Sequence, residues 1–119
     1  MSYQIQKTLL TIPSGSNSDT IRFAPNRSND NIRVGAIVKP QSDNIISIGI
    51  TDNGNPIIEP ISSDWLKSQG RNIEESTIPI NSRGGRELKI EAVSTGNVSA
   101  DTHIEVIFLV AQDNNNNCL

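Results

Sequence analysis

The chain offers few groups that could do chemistry. Its one histidine, His103, sits two residues before Glu105 in an alternating run, the setting of a surface residue. Hydrolysis by a Ser-His-acid arrangement would have to recruit His103, and no Gly-x-Ser-x-Gly elbow is present. No Cys/His cluster with zinc-ligand spacing occurs. Asp52-Asn53-Gly54-Asn55 supplies oxygen ligands but lacks the spacing and closing Glu of a calcium loop. Gly84-Gly85 between Arg83 and Arg86 has the look of an anion nest, yet it does not lead from a strand into a helix. Both segments read more simply as turns. The expectation is therefore no catalytic residue, no metal site and no cofactor. The candidates for ligand contact are Trp65, Asp52, Asn53 and Asn55. Sugar-binding sandwiches stack exposed Trp or Tyr on sugar rings, and here the sole Trp65 reads first as a plug for one end of the core.

Composition narrows the class further. With 119 residues the chain makes one domain, long enough to bury a core without staples. Aromatic residues are only 3%, so that core must be built from Ile, Val and Leu, which favour strands when β-branched. Ten Lys plus Arg against thirteen Asp plus Glu give a net charge of −3. The basic residues are scattered, which argues against a nucleic-acid surface. No apolar run approaches the roughly 20 residues of a membrane span. The N-terminus lacks the charged and apolar regions of a signal peptide, so synthesis in a reducing cytoplasm is expected. Cys118 is the only cysteine and can form no intrachain disulfide. The sequons Asn26-Arg27-Ser28 and Asn97-Val98-Ser99 then read as chance matches in an Asn-rich chain.

The elements that must position these residues are strands. The clearest local signal is Asn53-Gly54 between two isoleucine-rich runs, which predicts a hairpin with a type I′ turn. A two-residue loop there pairs Asp52 with Asn55, Ile50 with Ile57, and Ile46 with Ile61. Ile46, Ile48, Ile50, Ile57 and Ile61 would then share one apolar face. Residues 3–12 carry Ile5 and Leu9 on one face and Leu10 and Ile12 on the other, which predicts a bulge or an edge strand. Asp19 to Ala24 turns Ile21 and Phe23 inward, and Asn31 to Lys39 turns Ile32, Val34, Ala36 and Val38 inward. Residues 62–70 predict one short helix, capped by Ser62, Ser63 or Asp64 and ended by Gly70. Ile78-Pro79-Ile80 reads as an edge segment, because Pro79 cannot donate to a ladder.

Glu87 to Val93 alternates Leu88, Ile90 and Ala92 against charged residues, as a half-exposed strand does. The run from Thr102 to Gln112 is apolar on both faces between Val106 and Ala111. That suits a central strand covered by the second sheet on one side and by a partner or loop on the other. Seven or eight short strands with Gly, Asn, Ser and Pro punctuation predict an all-β, single-domain antiparallel β-sandwich, jelly-roll-like in character. The sandwich domain spans residues 1–112, and 113–119 is a polar C-terminal tail.

Several stretches carry a resemblance. Leu9 to Ser16, Ile21-Arg22-Phe23, Ile48 to Asp52 and Ile104 to Val110 together resemble the small single-jelly-roll structural proteins of bacteriophage virions. The likeness implies a non-enzymatic penton, decoration or spike-base subunit, located in the virion after synthesis in the host cytoplasm. It also implies a homo-oligomer that meets other capsid proteins, with Ile107, Leu109, Leu10 and Ile12 as interface candidates. The other class the residues allow is a carbohydrate-binding or cell-attachment module.

Overall fold

A computed structural model of the chain describes residues 2–39, 44–62 and 77–112. Among the described residues eight strands run in the order β1 (Ser2–Ile12), β2 (Ser18–Phe23), β3 (Arg33–Lys39), β4 (Ile46–Asp52), β5 (Asn55–Ser62), β6 (Ile78–Pro79), β7 (Leu88–Ser94) and β8 (Thr102–Gln112). A front sheet has the order β1-β8-β3-β6 and a back sheet β2-β7-β4-β5. All the pairings are antiparallel. The chain is an all-β sandwich.

The pairing has a simple logic. First pairs with eighth, second with seventh, third with sixth and fourth with fifth, so the chain is one antiparallel ribbon doubled back at the β4-β5 hairpin. The four pairs fall alternately in the front and back sheets, which means the ribbon is wound around the core. Contacts β3·β8 and β4·β7 then stitch neighbouring turns of the ribbon into sheets.

Between the sheets the inward residues follow the two-residue period of each strand. Leu10 and Ile12 of β1, Val34 and Ala36 of β3, and Ile104, Val106, Phe108 and Val110 of β8 meet Ile46, Ile48 and Ile50 of β4 and Leu88, Ile90 and Ala92 of β7. Each buried Val, Leu or Ile side chain contributes about 1.5–3 kcal/mol relative to exposure. Phe23 and Phe108 stack with centroids 5.4 Å apart and planes 18° from parallel.

One expectation needs correction. The hairpin turn has positive φ at both Asn53 (51°) and Gly54 (85°), as a type I′ turn requires, and Asp52 does face Asn55. Beyond it the register shifts twice, so Ile50 faces Ile58 rather than Ile57 and Ile48 faces Ile61 in place of Ile46. Each shift lies next to a proline of β5, Pro56 or Pro60, where no N–H is available to the ladder. Ile58 is consequently the buried residue of that arm, and Ile57 and Ile61 are half-buried. Of the two readings of the first strand, a bulge or an edge strand, the second holds: β1 ends its sheet, and its register against β8 runs unbroken from Ser2↔Gln112 to Ile12↔Thr102. The short helix expected near residues 62–70 and the tail at 113–119 lie outside the described residues, except that Ser62 ends β5.

Candidate functional site

The outer face of the front sheet gathers the most chemistry. Register places its residues in rows: Thr11, His103 and Lys39; then Leu9, Glu105 and Ile37; then Lys7, Ile107 and Gly35; then Ile5, Leu109 and Arg33. Ile5 and Leu9 are 49% and 54% exposed, among the most exposed large apolar side chains described. Ile37 and Ile107 are half-buried. The face is therefore an apolar field set among Lys7, Lys39, His103 and Glu105.

His103 is exposed, and its Nδ1 lies 3.1 Å from Thr11 Oγ1 in the same row. A shallow cleft of about 100 Å³ opens here, lined by Leu9, Ile37, Lys39, His103 and Glu105. At the far end, Arg33 is held by Thr77, with Nε donating to Oγ1 at 3.0 Å and Nη2 to the carbonyl at 2.6 Å.

The interface candidates divide. Ile107 is on the outer face, as its parity requires. Leu109 shares that parity but is fully buried, between Ile5 and Arg33 in the register. Leu10 and Ile12 are a correction: both are fully buried in the core between the sheets, so neither is exposed for a partner to touch. The apolar positions of β1 that do face outward are Ile5 and Leu9. Sequence held a signal for them, because Leu10 and Ile12 as inward residues leave the odd-numbered positions outside.

The ligand candidates at the hairpin do not converge on a site. Asp52 is engaged by Arg86, with Nε 3.2 Å from Oδ2, while Asn53 and Asn55 are exposed at the tip. Trp65 lies outside the described residues. A cleft of about 200 Å³ on the back sheet runs over Gly49, lined by Pro56, Pro60, Glu59, Lys89 and Glu91 among others. Both clefts are smaller than the ~300–1,000 Å³ of ordinary small-molecule sites. Among the described residues, no group of three or more His, Cys, Asp or Glu is placed to hold a metal.

The Arg83-Gly84-Gly85-Arg86 loop is structural. Gly85 N–H donates to Pro25 O at 2.8 Å and Gly84 N–H to Ser82 Oγ at 3.2 Å, so these amides already have acceptors within the protein. The Gly85–Pro25 bond, with Ser28 N–H donating to Arg83 O and Ile32 N–H to Ser82 O, holds the 25–32 loop, in which Ser28 is buried. Its Oγ accepts from Ala111 N at 2.7 Å and donates to Ala111 O at 3.2 Å, tying the loop to the end of β8. Nothing local in the sequence marks Ser28 for this role, since its partner is 83 residues away. Ser28→Ala leaves the Ala111 N–H buried without that acceptor. The expected cost is about 1–3 kcal/mol, read as a lower urea midpoint at unchanged slope.

The fold and face together define a β-sandwich with a broad mixed surface in place of a deep pocket. Among the described residues no helix is long and apolar enough to cross a membrane. Comparison of the chain with protein-family models and with curated proteins returned no match.

Proposed function

We propose that the chain is a non-enzymatic jelly-roll subunit of a bacteriophage virion, working through contacts with its own copies and with other capsid proteins. The observation that carries this reading is the strand order. A ribbon of four antiparallel pairs wound alternately into two sheets favours the jelly-roll plan, one used by viral capsid and lectin domains. Fold alone admits many activities, so the surface has to support the choice. Here the support is the apolar field of exposed Ile5 and Leu9 beside half-buried Ile37 and Ile107, which suits a flat protein contact better than a substrate. The phage setting, and the penton, decoration or spike-base role, follow from the resemblance of the strand segments. Mass spectrometry of purified virions tests the reading: the chain should be present at a fixed ratio to the major capsid protein. Its absence from particles would remove the virion role.

The second reading is a sugar-binding or attachment module. It draws on the back-sheet cleft, where Glu59, Lys89 and Glu91 could bond hydroxyls beside the rings of Pro56 and Pro60. A glycan array with wild type and Glu91→Ala separates the two. Specific binding lost in the variant would favour the sugar, and a blank array would discard it.

A further inference from the structure

We propose that the edge of β1 from Ile5 to Leu9 is a strand-pairing site, and that its occupant is β1 of a second copy running antiparallel. The inference deepens the assembly reading above and rests on it for its biological setting.

Among the described residues the two sheets end on four strands, and three of these are blunted. β6 has two residues, one of them Pro79. β5 carries Pro56 and Pro60 and two register shifts. β2 has six residues, and its Asp19 is turned onto β1. Such devices are how sheet edges avoid pairing with other chains. β1 has none of them: eleven residues, no proline, no break in register, and Lys7 as its sole charge.

The direction of the open groups follows from one hydrogen bond. Thr11 N–H donates to Asp19 Oδ2 at 2.8 Å, so it points away from β8 and is already used. By the two-residue alternation of a strand, the N–H groups of Leu9, Lys7 and Ile5 point the same way. Among the described residues no backbone group outside β8 bonds to the backbone of β1; on the inner face Asn26 N–H donates to Gln6 Oε1 at 2.7 Å and Asn26 Nδ2 to Gln4 Oε1 at 3.4 Å, leaving the outer edge clear. Asp19 thus closes one end of the edge and leaves Leu9, Lys7 and Ile5 open below it.

That stretch is complementary to itself. With Gln6 of one copy facing Gln6 of the other, Ile5 lies opposite Lys7 and Gln4 opposite Thr8. Outer-face residues meet outer-face residues, polar inner-face residues meet each other, and no like charges stand directly opposite. A register centred on Lys7 would instead put two ammonium groups across from one another. The Lys7 stem can lie along Ile5 of the other copy, covering part of its exposed surface. The product is a two-fold dimer in which the two front sheets become one, by strand addition.

Sedimentation of the purified full-length chain over a concentration series tests this, with three variants. Wild type should show a monomer–dimer equilibrium. Ile5→Lys sets a second ammonium group against Lys7 of the other copy at both symmetry-related positions and should weaken the dimer roughly tenfold. Ile5→Glu makes that pair attractive and should tighten it. Lys7→Pro removes an N–H that faces away from β8, so the circular dichroism spectrum should persist while the dimer is lost. A wild type that stays monomeric, or a dimer insensitive to both Ile5 variants, would overturn edge pairing. A monomer that nonetheless occurs in virions rejects the pairing and keeps the assembly reading. A variant-sensitive dimer absent from virions does the reverse.

Discussion

Gly84→Ala is expected to lower the thermal midpoint by roughly 10 °C or more. Two costs act together. Gly84 has φ of +74°, a conformation costing an L-residue about 1–2 kcal/mol. A Cβ there would also land on the carbonyl oxygen of Asn26 and lie 2.9 Å from its carbon and 3.1 Å from Pro25 O. All three are backbone atoms, which cannot rotate aside as a side chain can. The loop must therefore move, and its movement strains the bonds from Ser28 N to Arg83 O (2.6 Å) and from Gly85 N to Pro25 O (2.8 Å). Overpacking of this kind adds about 1–3 kcal/mol to the backbone term.

Two other glycines serve as controls for the steric part. Gly54 has φ of +85° with nothing within 4 Å of where a Cβ would stand, and Gly85 has φ of +79° with only Arg27 side-chain atoms near, the closest at 3.7 Å. Alanine at either should cost only the conformational term, about 1 kcal/mol. Differential scanning calorimetry of the three variants reads the difference directly. Equal shifts for all three would mean that the 25–32 and 81–86 loops are not packed against each other.

This pair of loops also shows where sequence stops being informative. Alternation in 33–39, 88–94 and 102–112 identifies β3, β7 and β8 because each strand has one face on an aliphatic core, or is central with both faces covered. The Asn53-Gly54 turn is legible because two consecutive positive φ values select those residues. The register beyond it is not, since the ladder must skip at Pro56 and Pro60 and the pattern of isoleucines alone does not say where. On β1 both faces carry apolar residues, so only the pairing with β8 decides that Leu10 and Ile12 go inside and Ile5 and Leu9 outside. Doubly apolar β8 did announce an outer face at Ile107. Ser28 and Gly84 act through partners distant in sequence and leave no local mark.

Phe108→Ala should be the most damaging change in the core. Phe108 is fully buried on β8 and stacks on Phe23 across the sandwich. Truncation leaves a cavity that aliphatic neighbours fill only partly, at a cost of about 3–5 kcal/mol. A domain of this size has about 5–15 kcal/mol in all, so the variant should be marginal at room temperature. Phe23→Ala removes the same stacking partner from a half-buried position and should cost less. The double variant should be less damaging than the sum by about 0.5–1.5 kcal/mol, the coupling of an aromatic pair. Leu9→Ala, on the outer face, should stay within about 0.5 kcal/mol of wild type. Urea unfolding of wild type and the three phenylalanine variants gives the cycle, with Leu9→Ala as the control. Because β8 pairs with β1 along its whole length, loss of Phe108 should also loosen β1, and hydrogen exchange at the Gln6 and Thr8 amides, which face β8, would report it. A Phe108 variant as stable as Leu9→Ala would mean that the two sheets do not meet at this ring pair.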